Sequence, residues 1–254
     1  MATKQAVLVL VATLAAGSAL AQQSNNAGAD FGIQSSQCQY TFSSGSGPTF
    51  VAYCVSANGT MPKLESPQGA EHIQVGTVWE GYVVCSGTSP LAWDISQTES
   101  GFGDPTVVSG PTRSGVSIRR ASAEFQLDNT YKLDKKEKDV TITMALTNIS
   151  GSTISDVRLA RVYDPDNDND FGDDLQDTSA RGIWARDVNA VTLTGITFPF
   201  PTDTATGGGA FAECSPTGEP TPTLTDNGLA NVTYRLGNMA PGQKRIVKFV
   251  YRAE

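Results

Sequence analysis

Apolar and polar residues alternate along Val140-Thr141-Ile142-Thr143-Met144-Ala145-Leu146, which places Val140, Ile142, Met144 and Leu146 on one face of an extended chain. The same period of two returns in Ala123–Leu127, Val157–Tyr163, Ala230–Leu236 and Arg245–Tyr251. In the second of these, Val157, Leu159, Arg161 and Tyr163 share one side, and Arg158, Ala160 and Val162 the other. Turn chemistry separates the runs: Lys135-Lys136-Glu137-Lys138 between Asp134 and Asp139, Asn148–Ser152, and Gly237–Gly242. Beyond residue 21 no long segment repeats at the helical period. A chain patterned this way buries one face of each strand and wets the other. The predicted fold class is therefore all-β, an antiparallel β-sandwich or a pair of them.

The first half reads the same way with weaker signals. Gln39–Phe42 and Phe50–Tyr53 form a predicted hairpin around Ser43–Pro48, and residues 72–79 and 81–85 read as two strands. The stretch 98–115 is rich in Gly, Ser, Thr and Pro and reads as loop. It divides a β-rich region at 22–112 from a β-sandwich at 113–254, with no long linker to keep the two from packing as one unit.

Ahead of these stands a short start bearing Lys4, an apolar run from Ala6 to Ala16, and Ala19-Leu20-Ala21. That is the layout of a secretory signal peptide over residues 1–21. The run is too short for a bilayer, which takes ~20 apolar residues. No later stretch is apolar enough, so the mature chain is expected to carry no membrane span. The expected location is secreted, periplasmic or cell-surface. Cys38, Cys54, Cys85 and Cys214 then read as two disulfides with three arithmetical pairings. The hairpin favours Cys38–Cys54, which leaves Cys85–Cys214 to tie the two halves together. No Cys-x-x-Cys occurs and His72 is the sole histidine, which argues against zinc. A formal charge of -8 and the lack of a basic cluster argue against a nucleic-acid partner, whose phosphates would repel the chain.

The run Val140–Gly151, followed by Ile154 and Val157, resembles the strand-turn-strand of immunoglobulin-like modules in bacterial exported and surface proteins. Leu236-Gly237-Asn238-Met239-Ala240-Pro241-Gly242 is similar to a phrase in their closing strand. The resemblance covers about the last half of the chain. It implies an immunoglobulin-like β-sandwich with a spacer or adhesion role and no catalytic residues to carry over. A long acidic loop after Tyr163 departs from it. The first half, through Glu71-His72-Ile73 and Trp79–Cys85, resembles exported β-proteins of no assigned activity.

That acidic loop holds the most specific chemistry. From Asp164 to Asp177 no Lys or Arg interrupts the carboxylates, and Asp164, Asp166, Asp168 and Asp170 would face one side of a straight strand. Their mutual repulsion turns favourable around a hard cation, since calcium takes six to eight oxygens at ~2.4 Å. Counted from Asp166, the acidic positions of a twelve-residue calcium loop fall on Asp166, Asp168, Asp170, Asp174 and Asp177. Phe171 stands where the sharp turn wants Gly, and flanking helices are missing, so the loop is not an EF-hand. Calcium held by Asp164, Asp166, Asp168, Asp170, Asp174 and Asp177 is weighed against a plain solvated loop at the sandwich rim.

Ordinary catalytic machinery is scarce. His72 has no Gly-x-Ser-x-Gly beside it, the presumed disulfides leave no thiol, and no phosphate loop occurs. Glu71, Glu80, Asp94, Glu99 and Asp104 lie among Trp79, Trp93, Tyr82 and Phe102, a composition that suits sugar rings or an ordinary core equally. Sequons stand at Asn58, Asn148 and Asn231. The expected function is a non-catalytic exported β-sandwich with a binding, adhesion or structural role, stabilised by calcium. Alternatives are a carbohydrate-active enzyme or carbohydrate-binding module, and an extracellular filament subunit self-associating through the polar leader at 22–36. The expected partner is an extracellular protein or glycan.

Overall fold

The computed structural model describes residues 37–73, 78–95, 98–165, 175–179, 181–186, 189–206, 214, 224–225 and 229–254. The predicted signal peptide and the polar leader lie outside the described residues. In chain order the strands are β1 (Tyr40–Ser44), β2 (Val51–Val55), β3 (Lys63–Glu65), β4 (Glu80–Ser86), β5 (Ser89–Ile95), β6 (Thr98–Ser100), β7 (Thr106–Ser109), β8 (Ser117–Ala121), β9 (Phe125–Asp134), β10 (Asp139–Asn148), β11 (Ile154–Tyr163), β12 (Leu175–Thr178), β13 (Gly182–Arg186), β14 (Ala190–Gly195), β15 (Thr202–Thr206), β16 (Leu224–Thr225), β17 (Ala230–Met239) and β18 (Lys244–Ala253).

They form two large sheets, ordered β16-β12-β13-β14-β18-β10-β9-β8-β7 and β15-β17-β11-β4-β5-β6, and a small one, β1-β2-β3. Every strand pair is antiparallel, as the all-β sandwich reading requires. Each large sheet draws strands from both sides of residue 112. One continuous core runs from Tyr40 to Ala253 and contains Val140, Ile142, Met144 and Leu146 from β10 and Val157, Leu159 and Tyr163 from β11. The period-two pattern thus points the expected faces inward. Nine and six strands exceed the seven to nine that an immunoglobulin-like module divides between its sheets.

One local expectation is corrected. Residues 98–115 are not all loop, because β6 and β7 pair there as edge strands of the two large sheets. Pairing on one side suffices for such short polar segments, which is why a Gly- and Thr-rich stretch hid them. Of the strand predicted over 72–79, residues 74–77 lie outside the described residues; Ile73 and Val78 on either side are buried, and β4 begins at Glu80. A further departure concerns β11, which is buried on both faces rather than one. Ala160 and Val162 join Val83, Cys85, Ile95 and Cys214 in a second cluster behind the six-stranded sheet.

Both favoured disulfides are present, Cys38–Cys54 with a Cα–Cα distance of 5.4 Å and Cys85–Cys214 with 5.6 Å. The first staples Cys38 to β2, and the second brings Cys214 onto β4. Cross-linking restricts the unfolded chain more as the closed loop lengthens. The separations are 16 and 129 residues, so removing Cys85–Cys214 as a double Ser variant should cost about 5 kcal/mol and Cys38–Cys54 about 3 kcal/mol. Guanidinium unfolding of the two variants measures the difference, and an equal or reversed order would refute the loop-length account.

Candidate functional site

The alternation of β11 places Arg161 on the inward face between Leu159 and Tyr163, and Arg161 is fully buried. A guanidinium there cannot shed its proton and so requires a counter-charge. Glu80, the first residue of β4, supplies it. Arg161 Nε donates to Glu80 Oε1 at 2.5 Å, and Arg161 Nη2 forms an ion pair with the same oxygen. Tyr251 of β18, in the opposite sheet, donates its hydroxyl to Glu80 Oε1 at 3.0 Å. The Arg161 guanidinium also lies over the rings of Tyr82 and Tyr131, 5.8 and 5.5 Å from their centroids. Burial holds the Glu80 carboxyl above the ordinary carboxylate range, while Arg161, the Met61 amide and Tyr251 pull it back. Burial works against the Arg161 charge, but Glu80, Tyr131 and Tyr251 outweigh it and its pKa rises.

A second buried cation bridges the sheets. Arg120 of β8 donates from Nη1 to Asp94 at 2.5 Å, from Nη2 to Glu99 at 2.9 Å, and from Nε to the Gly103 carbonyl at 2.8 Å. Between the two ionic groups sits the turn after β2. Ser56, Asn58, Thr60 and Met61 are buried there, and their backbone reaches the charged residues directly. The Met61 N–H donates to Glu80 Oε2 at 2.5 Å, and Asn58 Nδ2 donates to Glu99 at 3.0 Å. Tyr82 and Tyr131 donate their hydroxyls to the carbonyls of Asn58 and Gly59, at 2.7 and 2.5 Å. Gly81, between Glu80 and Tyr82, is needed for close approach: a Cβ there would stand 1.9 Å from the Asp94 carbonyl oxygen. In this polar interior the protein's own turn lies between the two ionic groups.

Four of the five carboxylates singled out in the first half hold structural partners. Glu80, Asp94 and Glu99 face arginines, and Glu71 accepts the N–H groups of Leu64 and Ile73 at 3.0–3.1 Å. Asp104 is exposed and apart from them. His72 is buried, and its Nε2 donates to the Ser66 carbonyl at 2.7 Å, tying the ring to the turn after β3. Trp79 and Trp93 are partly buried against the cluster of Val83, Ile95, Ala160 and Val162 behind the six-stranded sheet. All three sequon asparagines are buried, and Asn148 Nδ2 is engaged with the carbonyls of Ser152 and Met239 at 2.8 Å. Of the acidic-loop residues, Asp164 follows β11 directly and its N–H donates to the Trp79 carbonyl at 2.7 Å. Asp166, Asp168, Asp170 and Asp174 lie outside the described residues, and Asp177 falls within β12. No group of three metal-ligating side chains comes together among the described residues.

One broad surface remains open. Outward positions of β9, β10, β14 and β18 carry Thr130, Thr141, Thr143, Thr192 and Thr194, with Thr130, Thr143 and Lys248 in one cross-strand row that ends on the buried Ser117 of β8. The charged outward residues of these strands are Arg119, Lys132, Lys244, Lys248 and Arg252 against Asp128, Asp134 and Asp139. Arg119 holds Asp128 bidentately at 2.6 and 2.9 Å, and Arg252 holds Asp139 at 2.7 and 2.8 Å. Three lysines are then left against Asp134. Beside β18 runs the 196–200 connection, fixed by the Ile196 N–H to the Lys248 carbonyl at 3.1 Å and the Lys248 N–H to Thr197 Oγ1 at 2.7 Å. Sequence reasoning missed this surface because the lysines are scattered along the chain and only the register gathers them.

Neutralising Glu80 leaves Arg161 charged and uncompensated, so Glu80→Gln should cost about 3–5 kcal/mol in urea unfolding. Arg161→Met should be milder in acid, because a glutamate can take up a proton. Without the guanidinium the folded Glu80 pKa lies further above the unfolded value of about 4.3. The stability of Arg161→Met should thus be full below that unfolded value and fall as pH rises through the folded one. A pH-independent loss would show that Glu80 stays ionised in the variant.

No family model matches the chain, and no curated protein matches it in sequence. In structure it is similar to a bacterial glucoamylase solved with acarbose, at a TM-score of 0.65 and 14% identity over 86% of this chain. The matched region is 32% of that protein, so the chain spans about a third of its length. A putative aldose 1-epimerase of Escherichia coli K12 aligns at a TM-score of 0.47 and 12% identity, over 84% of this chain and 98% of that one. A polysaccharide lyase aligns at 0.46 and 12%, over 84% and 33%. At this identity the glucoamylase shows a shared β-sandwich fold and nothing finer.

Proposed function

We propose that the chain is an exported, non-catalytic β-sandwich whose ligand is a glycan. The observation that carries the non-catalytic reading is the inward commitment of Glu71, Glu80, Asp94 and Glu99, described above. A hydrolytic pair needs one carboxyl free to protonate a leaving group and another open to water or sugar. Each of these four is instead held by an arginine or by backbone amides, Glu71, Glu80 and Asp94 in the interior and Glu99 at its edge. The glycan half of the proposal is supported by analogy of fold with the glucoamylase, itself solved in complex with acarbose. Export is supported by two disulfides, which persist in oxidising compartments, and by the signal-like first 21 residues. No helix among the described residues is long and apolar enough to cross a membrane.

Calcium belongs to the same proposal. Asp164, Asp166, Asp168, Asp170, Asp174 and Asp177 would bind it, rigidifying the connection that follows β11 and making stability depend on free calcium.

Retention of the purified protein on polysaccharide, with no new reducing ends released, is the expected result; release of reducing ends would sink the non-catalytic reading. In a calorimetric calcium titration, one bound ion that disappears in Asp166→Ala/Asp168→Ala is expected, with a higher melting temperature in calcium than in chelator. Identical melts and no heat would make the loop a solvated charge cluster.

A further inference from the structure

We infer that the open face of the nine-stranded sheet is the glycan-docking surface and that the glycan it takes is anionic, a polyuronate-like chain. This inference rests on the glycan-binding reading and adds to it the place and the charge of the ligand.

Charge supplies the first argument. A chain of formal charge -8 repels polyanions as a whole. On this face, however, the carboxylates of Asp128 and Asp139 are consumed by Arg119 and Arg252, and Lys132, Lys244 and Lys248 project without an ion-pair partner among the described residues. Lys244 and Lys248 stand four residues apart on β18, about 13 Å along the strand. The Lys135-Lys136-Glu137-Lys138 turn between β9 and β10 adds three cations against one carboxylate at one end. The face is therefore a basic surface on an acidic protein, and an extended ligand bearing regularly spaced carboxylates complements it.

An exposed aromatic at the rim supplies the second. Phe198 is 74% exposed, an unusual state for a large apolar side chain, and Ile246 on β18 is 48% exposed. Phe198 is nonetheless held in place. The Arg181 guanidinium lies 3.7 Å from its ring centroid and donates onward to the carbonyls of Gly195 and Phe200, bracing both ends of the connection. Such bracing reduces the ordering cost that a ligand would otherwise bear. An aromatic ring this exposed is a surface on which the C–H face of a pyranose can stack. Threonine hydroxyls on the sheet supply hydrogen bonds to sugar hydroxyls.

The test compares polygalacturonate with its fully methyl-esterified form, the same backbone without the charge, in affinity electrophoresis and calorimetry. Chelator is kept throughout so that the acidic loop plays no part. Binding of polygalacturonate alone is expected, weakening with added salt. It should fall about tenfold in Phe198→Ala and again in Lys132→Ala/Lys248→Ala. The substituted residues are exposed, so melting temperatures should hold. Equal binding of both polymers, or affinity unchanged in both variants, overturns the inference while leaving glycan binding intact. Retention of neither polymer, nor of any neutral polysaccharide, overturns the glycan reading with it.

Discussion

A guanidinium buried at the centre of a β-sandwich organises much of this protein. Arg161 cannot be neutralised by losing a proton, and its transfer from water is costly unless a carboxylate and further hydrogen bonds meet it. Glu80 from the neighbouring strand, Tyr251 from the opposite sheet and the faces of Tyr82 and Tyr131 do so together. The same carboxylate accepts the Met61 amide, which draws the turn after β2 into the interior. Arg120 repeats the device one step away, joining the two sheets through Asp94 and Glu99 and reaching Asn58 through Glu99. The small N-terminal sheet is thereby tied to the large ones through polar contacts as well as through the shared apolar core.

This arrangement bears on function by subtraction. Glu80 and Asp94, whose types suggest acid–base chemistry, are turned inward and paired with buried arginines. What remains available to a partner is surface, and surface chemistry here is unevenly distributed. The back of the six-stranded sheet is apolar and covered, with Trp79 and Trp93 packed on it. The back of the nine-stranded sheet is open, polar and locally basic.

Likeness to part of a bacterial glucoamylase extends to the β-sandwich fold. A fold of this kind hosts many functions, so the argument for what the chain binds has to come from the residues that it presents.

Several features were legible in the residues alone. Period-two alternation determined the all-β class and the inward faces of β10 and β11, because burial of one face follows directly from the pleat. The Cys38–Cys54 pair was readable from the hairpin around Ser43–Pro48, and Cys85–Cys214 followed from it. Tertiary structure decided the rest. Whether Glu80 and Asp94 were reactive or structural depended on which arginine lay opposite, 81 residues away for Glu80 and 26 for Asp94. The edge strands β6 and β7 lacked a pattern because a strand paired on one side needs none. Nor could the sequence reveal a basic face in an acidic chain, since Lys132 and Lys248 become neighbours on one surface only through the register of β9, β10 and β18. Local alternation is a property of the chain itself, whereas the meeting of charges belongs to the closed sandwich.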